Sequence, residues 1–355
     1  MYNGCVKDYF APINTRQNFF RVTWLRIIVC CSICAVLAVF CIFGSALWRA
    51  CFGEDNTYNY FNGNLGVHFV DVGDGDCTIL QLPDGKVAMI DTGSEYYYSR
   101  VKTYLTQRIK PKGNLLDYVI ITHPHEDHMG GLADLQRDFH IKTLITDDNM
   151  TEGQTITGTS KSDKTLLYRI QFHAVGISEG GAANEMSPII TIEYANQVFV
   201  ITGDAGHPTE NVFMQTDTAK AIFGNGRADT LTTWLHVGHH GSRDSTGDDF
   251  LKFLKPKYAI ISVGTLYNHP HDEVTNLLNY YDVKTMLTRD MGNIAVRCNG
   301  NTTKLFYQSD NPLDLTWLWI VLFVGTPFLC FVNYFYHKKD KILCEKALDT
   351  QHIVV

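Results

Sequence analysis

The densest chemistry in the chain lies in six consecutive residues, His123-Pro-His-Glu-Asp-His128. Imidazole and carboxylate groups that converge are ligands for first-row metals, chiefly zinc, manganese or iron. The pattern His-x-His-x-Asp-His is far more specific than a lone histidine pair. Side chains so close in sequence converge only where the backbone turns. A β-rich run over residues 117–122 leads in, and Gly130-Gly131 leads out into a helical pattern. Other polar groups follow the same rule, each just after a strand-like run: Asp91, Asp204, His239-His240 and His269-Pro-His271. In layered α/β folds, sites gather where strands end and loops converge.

The elements that must position these groups can be read from period and turn chemistry. Strands are predicted over 67–72, 77–82 and 86–91, punctuated by Gly73-Asp-Gly75 and Pro83-Asp-Gly85. An amphipathic helix is predicted over 96–109, then the strand 118–122 that delivers the histidine cluster. A helix over 132–139 and a strand over 141–145 follow. Residues 147–164 are rich in Thr, Ser, Gly and Asp and read as a loop. Strands resume at 168–175, 189–194 and 197–202, the last ending in Gly203-Asp204. A helix over 210–223 and a strand over 232–237 lead to His239-His240. A helix over 248–254 and a strand over 259–263 lead to His269. The helix 273–281 and two or three short strands close the pattern. The two halves read as similar in layout.

The 355 residues allow one large domain or two ordinary ones, and a net charge of -7 supplies no basic footprint for nucleic acid over the whole surface. Two apolar runs stand out, 27–48 and 315–336, each long enough to cross a bilayer as a helix. Lys7, Arg16, Arg21 and Arg26 precede the first, and Lys338, Lys339 and Lys341 follow the second. The positive-inside rule then gives a cytoplasmic segment 1–26 and a cytoplasmic tail 337–355. Between the spans lie a linker, 49–65, and a domain, 66–312, facing the exterior or a lumen. The ten cysteines cluster around the spans; only Cys77 and Cys298 lie well inside the domain, which is no disulfide framework. Asn149 and Asn301 begin glycosylation sequons.

The order Asp91-Thr-Gly93, His123-x-His125-x-Asp127-His128, Asp204 and His239-His-Gly-Ser242 resembles the metallo-β-lactamase superfamily. Within it, the chain is similar to the metallo-hydrolase domain of ComEC-type DNA-uptake proteins. The motifs that carry this are Phe69-Val-Asp-Val-Gly-Asp-Gly-Asp76, Asn184-x-x-Ser187, Thr202-Gly-Asp-Ala205, Ser262-Val-Gly264 and Gly292-Asn-Ile294. The resemblance spans roughly 66–306, nearly the whole domain between the spans. Asp74 stands where that family usually has Gln. The multi-helix channel of the competence proteins has no counterpart here, since only two spans are present. A phosphorylcholine esterase branch is similar as well, so the motifs do not fix the substrate.

The resemblance implies a four-layer αββα sandwich with two divalent metal ions, zinc or alternatively manganese, at one edge. His123 and His125 would hold one ion, Asp127 and His128 the other, and Asp204 would bridge them. His239 or His240 would complete one shell and His269 the other, because the family's usual histidine between the cluster and the bridging Asp has no counterpart. A water between the two cations would lose its proton near neutral pH. Asp91 would orient a ligand histidine through its second ring nitrogen; a turn-capping Asp is the rival reading. Ser242 would stabilise an anionic transition state, or cap a helix. His271 would protonate a leaving group, or cap the helix after it. The expected activity is phosphodiester hydrolysis of a nuclease type at a membrane, with DNA or another phosphodiester as substrate. The alternatives are hydrolysis of a small phosphoester, ester or lactam, and a decayed membrane sensor or adhesion protein.

Overall fold

The computed structural model describes residues 63–177 and 186–307, which lie within one compact unit, Asn56–Asp310. The two apolar runs, their charged flanks, Asn184 and most of the linker 49–65 fall outside the described residues. Among the described residues, no helix is long and apolar enough to cross a membrane.

In chain order the strands are β1 (Leu65–Phe69), β2 (Thr78–Gln81), β3 (Val87–Ile90), β4 (Leu115–Leu116), β5 (Tyr118–Ile120), β6 (His140–Ile141), β7 (Leu144–Ile145) and β8 (Thr155–Thr159). They continue as β9 (Leu167–His173), β10 (Ile189–Tyr194), β11 (Gln197–Ile201), β12 (Thr232–His236), β13 (Tyr258–Ile261), β14 (Lys284–Leu287), β15 (Ile294–Cys298) and β16 (Thr303–Tyr307). One seven-stranded sheet runs β16-β15-β1-β2-β3-β5-β7, and a second runs β14-β13-β12-β11-β10-β9-β8. The short pair β4-β6 stands apart.

The two halves share a plan. β1, β2 and β3 pair antiparallel, and β5 and β7 then continue parallel to β3. Likewise β9, β10 and β11 pair antiparallel, and β12, β13 and β14 continue in parallel. Asp91 follows β3 and His123 follows β5. Asp204 follows β11, His239 follows β12 and His269 follows β13. Parallel neighbours end at the same edge of a sheet, so the plan delivers each group to a carboxyl-end edge.

Three apolar clusters define four layers. Leu65, Val67, Phe69, Ile90 and Ile120 of the first sheet meet Tyr168, Ile170, Ile192, Phe199 and Trp234 of the second. The outer face of the first sheet packs against Tyr98, Val101 and Leu105 on and just after helix α1 (Tyr98–Tyr104), and against Leu135. The outer face of the second sheet packs Val198, Val200 and Leu235 against helical residues such as Phe213, Ile222, Phe250 and Leu278. Two sheets between two helical layers make the αββα sandwich. Core strands such as β11 are buried at every position, which is why they read as continuous apolar runs rather than alternating ones.

The structure corrects the sequence at three places. Residues 155–159 are not loop but the edge strand β8, paired antiparallel with β9. Its composition hid it, because Thr and Gly at an edge with one exposed side resemble a loop. The helix expected over 210–223 is two helices, His207–Gln215 and Asp217–Phe223, broken at Thr216, whose hydroxyl caps the second by accepting the Ala219 N–H at 3.2 Å. Ser242 does not cap the following helix, which begins at Asp248 after Gly247. Cys77 and Cys298 are both buried free thiols.

Candidate metal centre

β5 ends at Ile120, and the chain turns through Thr122 and Pro124 into a short helix, α2 (Glu126–Met129), with His125 at its N-cap position. Backbone bonds stitch this turn to its neighbours. Asp76 N–H donates to the Asp127 carbonyl (3.1 Å) and Thr92 N–H to the His128 carbonyl (2.7 Å). Gly75 lies so close that a Cβ there would sit 2.4 Å from the Asp127 carbonyl oxygen, which explains a glycine between two aspartates.

The metal-type groups assemble into three sets. His123, His125 and Asp204 form one; Asp127, His128 and His240 form a second; Asp76, Asp91 and His128 form a third, fully buried one behind them. Asp204 faces the first two. Its Oδ2 is 3.6 Å from His123 Nε2 and 3.7 Å from His239 Nε2. Its Oδ1 is 3.1 Å from His128 Nε2 and 3.6 Å from His240 Nε2. His240 Nε2 also lies 3.3 Å from Asp127 Oδ2. The neighbours His239 and His240 therefore part company. Both have left-handed backbone, with φ of 48° and 54°, uncommon for residues other than glycine and found at functional sites.

The buried histidines are oriented from behind. His128 Nδ1–H donates to Asp91 Oδ2 at 2.9 Å, and His240 Nδ1–H donates to the Ser262 carbonyl at 2.9 Å. His123 Nδ1 lies 3.0 Å from Ser187 Oγ and 3.1 Å from Thr122 Oγ1. The Thr122 hydroxyl donates to Asp91 at 2.7 Å, so it accepts from His123. Each ring then spends its Nδ1 proton behind the site and turns an Nε2 lone pair inward. The Nε2 atoms of His123, His128 and His240 and Oδ1 of Asp204 are buried with no hydrogen-bond partner. A bare imidazole nitrogen 3.1 Å from a carboxylate oxygen is repulsive unless a cation or a proton lies between. Unsatisfied buried acceptors aimed at one point are what a divalent ion would satisfy. The donor set of imidazoles and carboxylates suits zinc or manganese.

The charges respond accordingly. Burial would raise the Asp204 carboxyl, but His128, and after it His240 and His239, hold it well below the usual carboxylate range. Burial and His128 push His123 down to about 3, which keeps its imidazole neutral. Burial opposes protonation of His240, yet Asp127, Asp204 and Asp76 raise it to about 9. His128 is likewise raised, by Asp204 and Asp91 against its burial. Both rises have one cause, the negative charge of the surrounding carboxylates, which a divalent cation would balance.

The remaining sequence candidates are placed as follows. Asp91 both orients His128 and holds the turn, accepting the Thr122 N–H at 2.8 Å. His269 lines the same cleft and its buried Nδ1 has no partner, but it joins none of the three sets. Ser242 is buried and is not among the residues lining the cleft. His271 sits at the N-cap position of the helix Asp272–Tyr280 without capping it; its Nδ1 accepts the Arg243 N–H at 3.0 Å.

Several contributors carried no role in the sequence. Asp76 is buried 3.6 Å from both His236 Nε2 and His240 Nδ1. Ser187 touches His123 and accepts the Asp204 N–H at 3.2 Å. Asp74 accepts the N–H groups of Gly264 (3.0 Å) and Leu266 (2.8 Å), fixing the loop that carries His269. The signal available for Asp76 was its place beside Gly75 in a turn; for Ser187 there was none beyond the motif.

A family model described as the metallo-beta-lactamase superfamily matches residues 70–167, which include the whole histidine cluster. Residues 70–167 thus carry the sequence signature of the metallo-β-lactamase superfamily. It is 30% identical to ComE operon protein 3 of Bacillus subtilis (strain 168), over 65% of this chain and 33% of that protein. It is 27% identical to Recombination protein 2 of Haemophilus influenzae, over 65% of this chain and 28% of that protein. The match thus spans about a third of the length of these relatives. Among solved structures, the metallo-beta-lactamase fold protein YhfI from Bacillus subtilis aligns with a TM-score of 0.43 and 13% identity, over 66% of this chain and 99% of that one. The family match over residues 70–167 and the His/Asp sets together support a metallo-β-lactamase-type hydrolase fold suited to divalent metal.

Proposed function

We propose that the chain is a two-metal phosphodiesterase of nuclease type, anchored to a membrane through residues 27–48 and 315–336. The observation that carries the reading is Asp204, whose two carboxylate oxygens each face a separate set of inward-turned imidazoles. His123, His125 and Asp204 would hold one divalent ion; Asp127, His128, His240 and Asp204 the other. His239 and His269 stand at the cleft to complete the shell around the first. Two such ions, zinc or manganese, would supply Lewis acidity and a water deprotonated near neutral pH. The protein's own part is to keep each Nε2 unprotonated through Asp91, Ser262 and Ser187. The name of one relative, Recombination protein 2, favours a nucleic-acid phosphodiester as substrate. The domain would face away from the cytoplasm, as the basic flanks of both spans require.

The test uses the full chain, purified in detergent and loaded with zinc or with manganese. Single-stranded DNA and a generic phosphodiester are the substrates. Turnover is expected with metal, and its loss in Asp127→Asn and in Asp204→Ala while both stay folded by circular dichroism. Full activity in either folded variant would overturn the two-metal assignment.

A further inference from the structure

On the phosphodiesterase reading, the substrate must also be gripped on either side of its phosphate. The cleft over the two histidine sets has a volume of about 600 Å³. Its rim leaves three large side chains in solvent: Tyr96 (82% exposed), Leu266 (75%) and Tyr267 (63%). Tyr96 lies in the turn Glu95–Tyr97 beyond β3, and Tyr267 in the loop beyond β13, so the two rings come from different sheets.

The backbone beneath both rings is fixed. Tyr96 N–H donates to Ser94 Oγ at 3.2 Å, and its ring meets Tyr97 edge-on at 4.9 Å. The Tyr267 loop is pinned on one side by Asp74 through the Leu266 N–H. On the other it is pinned by Arg289, which donates to the His269 carbonyl at 3.1 Å. Exposed aromatic side chains on a fixed frame are unlike singly scattered surface apolar residues, and here they border a floor built to take a phosphate.

The chemistry of the rim narrows the ligand. Among the described residues no lysine or arginine lines the cleft, so a long polyanion would find few counter-charges there. A cationic head group fits no better. The carboxylate of Asp74 is engaged with two backbone N–H groups, and that of Glu126 with Ser94 Oγ (2.6 Å) and Glu95 N–H (3.2 Å). The Tyr97 ring already carries the Arg100 guanidinium at 4.8 Å. What remains are the faces of Tyr96 and Tyr267, suited to a neutral planar ring. We propose that Tyr96 and Tyr267 stack the bases flanking the scissile phosphate, so that the cleft reads a short unpaired nucleotide segment.

The experiment compares two substrates with the metal-loaded full chain: thymidine dinucleotide and its doubly abasic counterpart, which share one phosphodiester. Tyr96→Ala and Tyr267→Ala are each expected to raise KM for the dinucleotide on the order of tenfold. They should leave kcat, and both constants for the abasic substrate, nearly unchanged. Tyr→Phe at either position should restore KM and Tyr→Leu should not. Lengthening the strand to twenty thymidines should lower KM little, with a weak salt dependence. Equal effects on both substrates, rescue by Leu as good as by Phe, or a steep gain with length would overturn the stacking assignment. So would tyrosine dependence shown by p-nitrophenylphosphorylcholine and not by the dinucleotide. If neither dinucleotide nor abasic substrate is cleaved by the metal-loaded chain, the phosphodiesterase reading itself falls.

Discussion

Asp91→Asn is the sharpest perturbation of the histidine frame. Asp91 accepts three hydrogen bonds: from Thr122 N–H at 2.8 Å, the Thr122 hydroxyl at 2.7 Å and His128 Nδ1–H at 2.9 Å. Its φ of 59° lies in the left-handed region, which Asn tolerates as well as Asp, so backbone strain does not enter. An amide is nearly the same size but offers one acceptor and one donor. If its oxygen keeps the Thr122 N–H, its NH2 group faces His128 Nδ1. The ring must then shift its proton to Nε2, the atom turned toward Asp204. If the amide flips, two donors face each other at Thr122, and a buried unsatisfied donor costs about 1–3 kcal/mol. Either outcome removes a ligand lone pair or its support. Losing such support lowers metal affinity roughly 10- to 100-fold. The assay is competition for zinc against a chromophoric chelator, with a thermal melt of the metal-free chain alongside. The tighter or weaker of two binding events should move by that factor while the other moves little. A folded variant with both affinities unchanged would refute the claim that Asp91 sets the His128 tautomer.

Other expectations follow from the same structure. Metal-loaded chain should lose thermal stability on chelation, by about 3–4 kcal/mol if the metal stands at 100 to 1,000 times its Kd beforehand; an unchanged melting curve would contradict occupancy of the site. Glu210 is buried and accepts the N–H groups of Thr246 and Gly247, the latter at 3.0 Å. Glu210→Ala should therefore destabilise by about 2–4 kcal/mol in a denaturant titration by stranding both donors. His68 is pushed down to about 4 by burial, against an unfolded value near 6.5. It stays neutral in the fold, so its contribution is complete above pH 6.5 and is lost as the pH falls toward 4. That loss is on the order of 3 kcal/mol. His68→Gln should flatten the acid limb of stability against pH, and an unaltered limb would show that His68 is not neutral in the fold.

Much of the site was legible because polar residues end apolar runs. Asp91, His123, Asp204 and His239 each follow a strand that is largely buried, and a polar or charged group there needs a reason. The sandwich was legible for a related cause: the runs are short, apolar and separated by turn residues. What spacing could not reveal was direction. His239 and His240 are adjacent in sequence, and only their paired left-handed backbone sends one ring toward Asp204 Oδ2 and the other toward Asp127. Support from behind the site was equally hidden. Asp76 reaches His240 and Ser187 reaches His123 across long sequence separations, through side chains whose types alone suggest turns. The strand β8 was missed because an edge strand of Thr and Gly lacks the continuous apolar signal of the core.

The most direct test of the account is metal analysis of the purified full chain after equilibration with zinc and removal of excess. The account predicts two ions per chain, falling to one or none in folded Asp204→Ala. A wild-type chain that retains no divalent metal, or an Asp204→Ala chain that still retains two, would contradict it.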